Sequence, residues 1–397
     1  MSDTSMTTSH EHSSSECAGT LRHCLVLAPD GWRLCRQLDY ADGRITKLDL
    51  EPGPMQLSDS PEGLEYLMPG IVDIHGDAFE RHITPRAGTQ FPLELALGAN
   101  DHGLIGAGIT SFFYSITDGF EPGPRSRDTV RTLIEAVESL RPRMRCHGYI
   151  HIRHELVNTA LHEELMGWLI EGRIDLLSLN DHLPPADNEA KIQRYLQGLA
   201  RRVSMSDSES RDFIAALQAE RETGLAQVSE LSACAVEHGI RLASHDDRDD
   251  RDLEQALARG VSIAEFPMSL TLASRLRSEG IKVLLGAPNL VRGGSHVGGL
   301  DVEEALRHGQ IDALCSDYHY ASLFHAPFLI ARMGLLPLDK AWKLVSEYPA
   351  AAVGLGNRTA RIEVGYDADF LMMSALDGNP LSLRQVVAGG KLALDRE

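Results

Sequence analysis

The chain has no C-x-x-C pair, no uninterrupted apolar run of about 20 residues, and no G-x-G-x-x-G after its first strand-like segment in the barrel-like region. The first absence argues against a thiolate metal site or a redox pair. The second excludes a membrane-spanning helix, so the expectation is a soluble protein with no membrane partner. The third removes the usual fingerprint of an open dinucleotide-binding sheet. Basic charge is also scarce, with 38 Lys and Arg against 57 Asp and Glu and a formal net charge of -19. No general nucleic-acid binder carries that balance, because phosphate contacts need a basic surface. The first twenty residues, MSDTSMTTSHEHSSSECAGT, hold ten Ser or Thr and no Lys or Arg. They lack the basic end and apolar run of a secretion signal, and 1–19 reads as a disordered leader. Six scattered cysteines, Cys17, Cys24, Cys35, Cys146, Cys234 and Cys315, fit a reducing cytoplasm.

What is present is a change of texture along the chain. LRHCLVLAPDGWRL and YADGRITKLDL are short alternating segments, and Asp42-Gly43 is a hairpin turn. From Met68 apolar strands alternate with amphipathic helices. Strands are expected at 69–77, 108–118, 146–155, 174–182, 240–247, 261–267, 281–288 and 311–319. Helices are expected between them, at 129–140, 160–172, 252–260 and 301–309, several closed by Gly. Eight β/α repeats in 397 residues argue for an α/β fold of the (β/α)₈ TIM-type barrel kind over 68–355. The segment 183–239 reads as a mostly helical, richly charged insertion, a lid or an interface. After the barrel, RIEVGYDADFLMMS and LRQVVAGGKLAL return to short strands. The two chain ends, 20–67 and 356–397, are therefore expected to pair into one small discontinuous β-sandwich domain.

A parallel barrel builds its site at the C-terminal ends of its strands. Those ends read His75 and Asp77; His151, His154 and Glu155; Asp181 and His182; His245, Asp246 and Asp247; Asp317 and His319. A lone His at a strand end is more often a hydrogen-bonded structural residue. Five strands ending alike are not explained that way, and the set points to a bound metal. His75-Gly76-Asp77 spaces two side chains by two along a strand, towards one face. Imidazole mixed with carboxylate and no thiolate suits Zn²⁺, one ion or two, with Mn²⁺, Fe²⁺ or Ni²⁺ also admitted. An open position on such an ion would hold water and lower its pKa towards about 7. His10-Glu11-His12 has a ligand-pair spacing too, but no expected strand holds it.

These phrases carry a resemblance. LMPGIVDIHGDAFERHITPRAG (67–88), HIRHEL (151–156), LLSLNDHLP (176–184), LASHDD (242–247), AEFP (264–267), GAPNLVRGGSH (286–296) and LCSDYHYASL (314–323) span the whole barrel. The sequence resembles the amidohydrolase superfamily of metal-dependent hydrolases, which pair such a barrel with a split β domain. Within it, the chain resembles the PhnM family, the ribose methylphosphonate triphosphate diphosphatases of phosphonate metabolism. The resemblance implies His75 and Asp77 as first-strand ligands, Asp77 standing where other members have a second His. It implies Glu155 in place of their carboxylated Lys, and His182 and His245 as the next imidazoles. It further implies Asp317 as a weak ligand and as the general base and acid. His154, next to Glu155, would face away and support the ligands from behind.

The implied substrate is a small phosphorylated sugar with about four negative charges, and a homodimer is common in the superfamily. An acidic protein then needs a local basic pocket. Arg81, His82 and Arg86 follow the first strand; Arg292, Gly293, Gly294, Ser295 and His296 follow the seventh, where Gly-Gly-Ser can turn N–H groups towards phosphate. Arg153 alternates away from His154 and can enter the barrel mouth. One departure falls after His182, where LPPADNEAK replaces a Gly- and Gln-containing continuation in a loop that would border the substrate. Two other functions remain open: an amidase or deaminase with the same metal site, which has no need of Arg81, Arg86 and Arg292 together, and a silent barrel acting as an assembly partner, which would tolerate loss of Asp317.

Overall fold

The computed structural model describes residues 9–12, 17–59, 63–86, 88–121, 125–199, 205–294, 298–376 and 379–396, with 9–12, 59, 375–376 and 379–381 described by backbone alone. Strands β1 (Ser9–His12), β2 (Gly19–Ala28), β3 (Gly31–Ala41), β4 (Arg44–Leu50) and β5 (Tyr66–Pro69) come first. The barrel strands follow as β6 (Ile71–Gly76), β7 (Ile109–Asp118), β8 (His147–Glu155), β9 (Leu176–Asn180), β10 (Arg241–His245), β11 (Ile263–Glu265), β12 (Lys282–Gly286) and β13 (Ala313–Cys315). The chain closes with β14 (Phe370–Leu376), β15 (Asn379–Ala388) and β16 (Lys391–Asp395).

β6 to β13 run in sequence order around one parallel sheet, each expected strand present and alternating with helices. The first and last strands meet at a seam. The Asp317 N–H donates to the His75 carbonyl (2.9 Å), and the Asp77 N–H donates to the Asp317 carbonyl (2.9 Å). The Ser316 N–H donates to Asp73 Oδ1 (3.0 Å). Gly76 sits in this seam with no room for a side chain, since a Cβ would stand 2.4 Å from the Phe112 ring.

The interior changes character by one two-residue step along each strand. Leu176, Ala243, Ile263, Leu284 and Cys315 form an apolar inner layer. Two residues later the same strands present Ser178, His245, Glu265, Gly286 and Asp317. The chemistry is thus gathered at one end of a packed core, not along a pore.

The two chain ends do pair, but as one sheet of eight strands, ordered β16-β15-β14-β5-β2-β3-β4 with β1 on β2, where a sandwich of two sheets was expected. Register shifts in β3 at Cys35/Gln37 and Asp39/Tyr40 bend its pairing with β4. A bridge from Arg44 to Asp367 then returns β4 to the C-terminal segment. The curled sheet encloses its own core of Leu21, Val26, Leu38, Phe370 and Val387. Ser9–His12, assigned above to a disordered leader, forms β1. β5 pairs with β2 only at Leu25 and Val26, leaving the Gly19–Arg22 edge for β1 to cover. The side chains of His10, Glu11 and His12 lie outside the described residues.

Within 183–239 there are helices at Glu189–Leu199, Asp207–Ala219 and Arg221–Glu237. The last is the ordinary barrel helix before β10, with Val228, Leu231 and Ala235 buried beneath it. Gly224 lets it approach the chain after β8, for a Cβ there would stand 2.0 Å from the Leu156 carbonyl oxygen. Only the first two helices are additions to the barrel.

Two polar networks fasten the frame. The Arg127 Nε and Nη2 donate to both oxygens of fully buried Asp118 (2.7 and 2.8 Å), which also contacts His154 Nδ1 (2.6 Å) and accepts from Asn158 Nδ2 (2.9 Å). Removing one partner strands a buried charge, so Asp118→Ala is expected to cost about 3–5 kcal/mol, read by denaturant unfolding. His147, at the start of β8, contacts Asp369 Oδ1 through Nε2 (3.1 Å), linking barrel to curled sheet. The Asp369 charge raises the His147 pKa above its ordinary value. Burial pushes Asp369 upward, but His147 outweighs it and the carboxyl titrates low. The His147 contribution is complete below about pH 6.5 and fades as pH rises through the raised value; that of Asp369 is complete above about pH 4 and fades in acid. Wild type is therefore expected to exceed His147→Gln by about 1 kcal/mol between those limits and to converge with it in alkali, as followed by unfolding against pH.

Candidate metal centre

Three side chains from three strands converge at the floor of the barrel mouth. His75 Nδ1 lies 2.8 Å from Glu265 Oε1, and His151 Nε2 lies 3.7 Å from the same oxygen. All three residues are buried. Ser178 Oγ donates to Glu265 Oε2 (2.8 Å), fixing the carboxylate. Burial would lower the His75 imidazole, but the Glu265 charge holds it above its usual value. Burial likewise would raise Glu265, and His75 and His151 hold it well below the carboxylate range. His151 is pushed down to about 3 by burial, so it is neutral with a free lone pair.

A second group stands above, where His182, His245 and Asp246 bring one ligand atom each within 4.8 Å of one another. The His182 and His245 rings lie 5.1 Å apart, and His75 and His245 5.6 Å apart, so the two groups adjoin. Glu155 Oε1 lies 2.5 Å from His182 Nδ1. Burial acts against protonation of His182, yet Glu155 and Asp246 raise it to about 9. His245 is lowered to about 4 by burial. Arg153 reaches between the groups, donating from Nη1 to Asp77 Oδ2 (3.3 Å) with Nη2 3.2 Å from His245 Nε2.

Strand geometry explains these placements. Along β8, Tyr149, His151, Arg153 and Glu155 alternate inward, while Ile150 and Ile152 enter the helix-facing core and His154 turns outward to Asp118. Asp246 and Phe266, which follow the inward strand ends His245 and Glu265, and Asp317, which lies two residues past the end of β13, have φ of 55°, 60° and 52°, a region non-glycine residues seldom occupy. Such outliers concentrate where a site over-determines the backbone.

The donor set fits a divalent ion. Imidazole nitrogens and carboxylate oxygens meet without thiolate, which suits Zn²⁺, Mn²⁺, Fe²⁺ or Ni²⁺. Among the described residues His151 Nε2 and His245 Nδ1 are buried without a hydrogen-bond partner, and both are atoms of a type that could bind a divalent ion. The structure brings His75, Glu155, His182, His245 and Asp317 together at this mouth, whereas Asp77 is engaged by Arg153. Sequence reasoning gave no role to Glu265 and left His151 unassigned.

The expected phosphate-binding residues are dispersed. Arg81 and His82 line a separate cavity of about 660 Å³ with Tyr318, His319 and Arg396. Arg86 is exposed in a turn closed by its carbonyl and the Thr89 N–H. Arg292 Nη1 donates to the Tyr318 hydroxyl (3.1 Å). The Gly293 and Gly294 N–H groups do not face a ligand; they donate to the Leu290 and Asn289 carbonyls (3.2 and 2.7 Å), ending a helix. Ser295 and His296 lie outside the described residues.

The amidohydrolase family model matches residues 66–393. The chain belongs to the amidohydrolase family. It is a superfamily hydrolase, from a group that typically binds divalent metal. It is 30% identical over 349 residues, 83% of its own length and 90% of the relative's, to the alpha-D-ribose 1-methylphosphonate 5-triphosphate diphosphatase of Escherichia coli (strain K12). Solved structures share the fold at lower identity. A beta-aspartyl dipeptidase from Fervidobacterium islandicum AW-1 aligns with TM-score 0.60 and 14% identity over 94% of this chain and 96% of that one. An N-acetylglucosamine-6-phosphate deacetylase from Pasteurella multocida aligns with TM-score 0.54 and 13% identity over 94% and 98%. No helix among the described residues is long and apolar enough to cross a membrane.

Proposed function

We propose that this amidohydrolase-family member hydrolyses alpha-D-ribose 1-methylphosphonate 5-triphosphate to the 5-monophosphate and diphosphate, in phosphonate degradation. The observation that carries the reading is the 30% identity to that diphosphatase over 90% of its length. The geometry supports the reaction class, since His75, His151 and Glu265 with His182, His245 and Asp246 would hold one or two divalent ions, Zn²⁺ being the leading candidate. A bound ion supplies Lewis acidity towards a phosphoryl oxygen and makes a neighbouring water more acidic.

The protein groups do the positioning and the proton transfer. Asp317 enters the mouth from the end of β13, its backbone fastened to His75 and Asp77. Its carboxylate takes a proton from the water that attacks the α-phosphorus and returns it to the departing diphosphate oxygen. Glu155 and Asp246 orient His182, and Phe266 packs edge-on to His75 and His245 with centroids 5.0 and 5.3 Å away, walling the imidazoles on one side. Phosphorus NMR of the metal-loaded protein with this substrate is expected to show diphosphate and 5-monophosphate appearing in equal amounts. Orthophosphate alone, or no product, would contradict the reading.

A further inference from the structure

A cavity of about 620 Å³ opens directly on Glu155 and His182, and it is lined by five cations: Arg125, Arg153, Lys191, Arg194 and Arg248. That concentration is unexpected in a chain of net charge -19. The carboxylates in the same wall are already engaged. Glu155 is held by His182, Asp181 by Arg221, and Glu121 accepts from the Tyr195 hydroxyl (2.8 Å). Lys191, Arg194 and Tyr195 are three and four residues apart on the added helix Glu189–Leu199, hence on one face of it. Among the described residues no ion-pair partner accompanies Lys191, Arg194 or Arg248. The adjoining cavity of about 440 Å³ is mixed in charge, with Asp181, Asp246, Asp247, Asp249 and Asp252 set against Lys191, Arg221, Arg248, Arg251 and Arg259 in its wall. The two cavities share the loop residues Leu183, Pro184 and Pro185, together with Asp181, Lys191 and Arg248.

We propose that the cationic cavity is the polyphosphate subsite, and that the added helix, through Lys191 and Arg194 with Arg248 opposite, recognises the substrate's terminal phosphates. The inference rests on the triphosphate reading above and moves the phosphate contacts away from the Arg86 and Arg292 loops. The cavity has the volume of an ordinary small-ligand pocket. Its polarity sorts the substrate end for end, with the anionic tail towards the added helix and the α-phosphorus left beside Asp317. Guanidinium and ammonium groups at a helix face match several phosphate oxygens at once, with Arg able to bind two.

The test uses the full-length, metal-loaded protein and a ribose-labelled fluorescent nucleoside triphosphate in excess Mg²⁺, followed by anisotropy. Lys191→Ala/Arg194→Ala is expected to weaken binding at least about tenfold, with a shallower salt dependence. The corresponding monophosphate probe should change by less than about twofold, and Lys191→Arg/Arg194→Lys should restore triphosphate binding. An unchanged affinity in a variant with unchanged melting temperature overturns the proposal, as does a loss confined to Arg86→Ala/Arg292→Ala. Failure of the two readings is separable. Probe binding that depends on Lys191 and Arg194 without diphosphate release contradicts the proposed reaction alone. Diphosphate release with a kcat/KM indifferent to both residues contradicts the subsite alone.

Discussion

A Glu265→Gln protein is expected to purify nearly metal-free and to lose about 10³-fold in kcat/KM, equivalent to about 4 kcal/mol of transition-state stabilisation. The substitution is close to isosteric and keeps an acceptor for Ser178 Oγ, so the fold should survive. What it removes is a carboxylate within reach of both His75 and His151. Two neutral imidazoles without a negative partner bind a divalent ion much less firmly. The loss should exceed the roughly 10- to 100-fold cost of removing a supporting partner. Elemental analysis and steady-state kinetics read both quantities. Full metal content with full turnover would show that the buried group is a structural ion pair and nothing more.

Asp317→Asn is expected to lower kcat by about 10²- to 10⁴-fold while leaving metal content and melting temperature near those of wild type. The choice of Asn is deliberate. Asp317 has φ of 52°, and Asn is among the few residues that adopt this region readily. The backbone bonds that stitch Asp317 to His75 and Asp77 are then retained. An Asp317→Ala protein would confound lost proton transfer with backbone strain at the barrel seam. Equal loss of metal and activity in Asp317→Asn would make Asp317 a necessary ligand and not chiefly a proton carrier.

The barrel was legible because each strand is a short apolar run followed by a helical period, and eight such units leave little else to build. The ends of five strands were legible for the same reason, since His and Asp break those runs visibly. Glu265 escaped because β11 has three residues and its sequence, VSIAEFP, offers one acid between apolar neighbours. A two-residue step from buried Ile263 would have found it. His151 was passed over because β8 turns three polar side chains inward, and attention went to Glu155. Lys191 and Arg194 were invisible for a different reason. Cations three residues apart on an exposed amphipathic helix look the same whether they face water or a cavity, and only the packing of the added helix over the mouth distinguishes the two. The Gly293-Gly294 loop misled in the opposite direction, because glycines that end a helix and glycines that cradle phosphate share one sequence signature.

If this mouth hydrolyses a phosphoric anhydride with the help of a divalent ion, turnover and bound metal must rise and fall together. The most direct test is diphosphate release from alpha-D-ribose 1-methylphosphonate 5-triphosphate by the protein as purified, after chelation, and after titration with Zn²⁺ or Mn²⁺. Turnover is expected to disappear on chelation and to return in proportion to bound metal, reaching its plateau at one or two ions per chain. Turnover unaffected by complete metal removal, or a metal-replete protein that cleaves an amide and leaves the triphosphate intact, would contradict the proposed reaction.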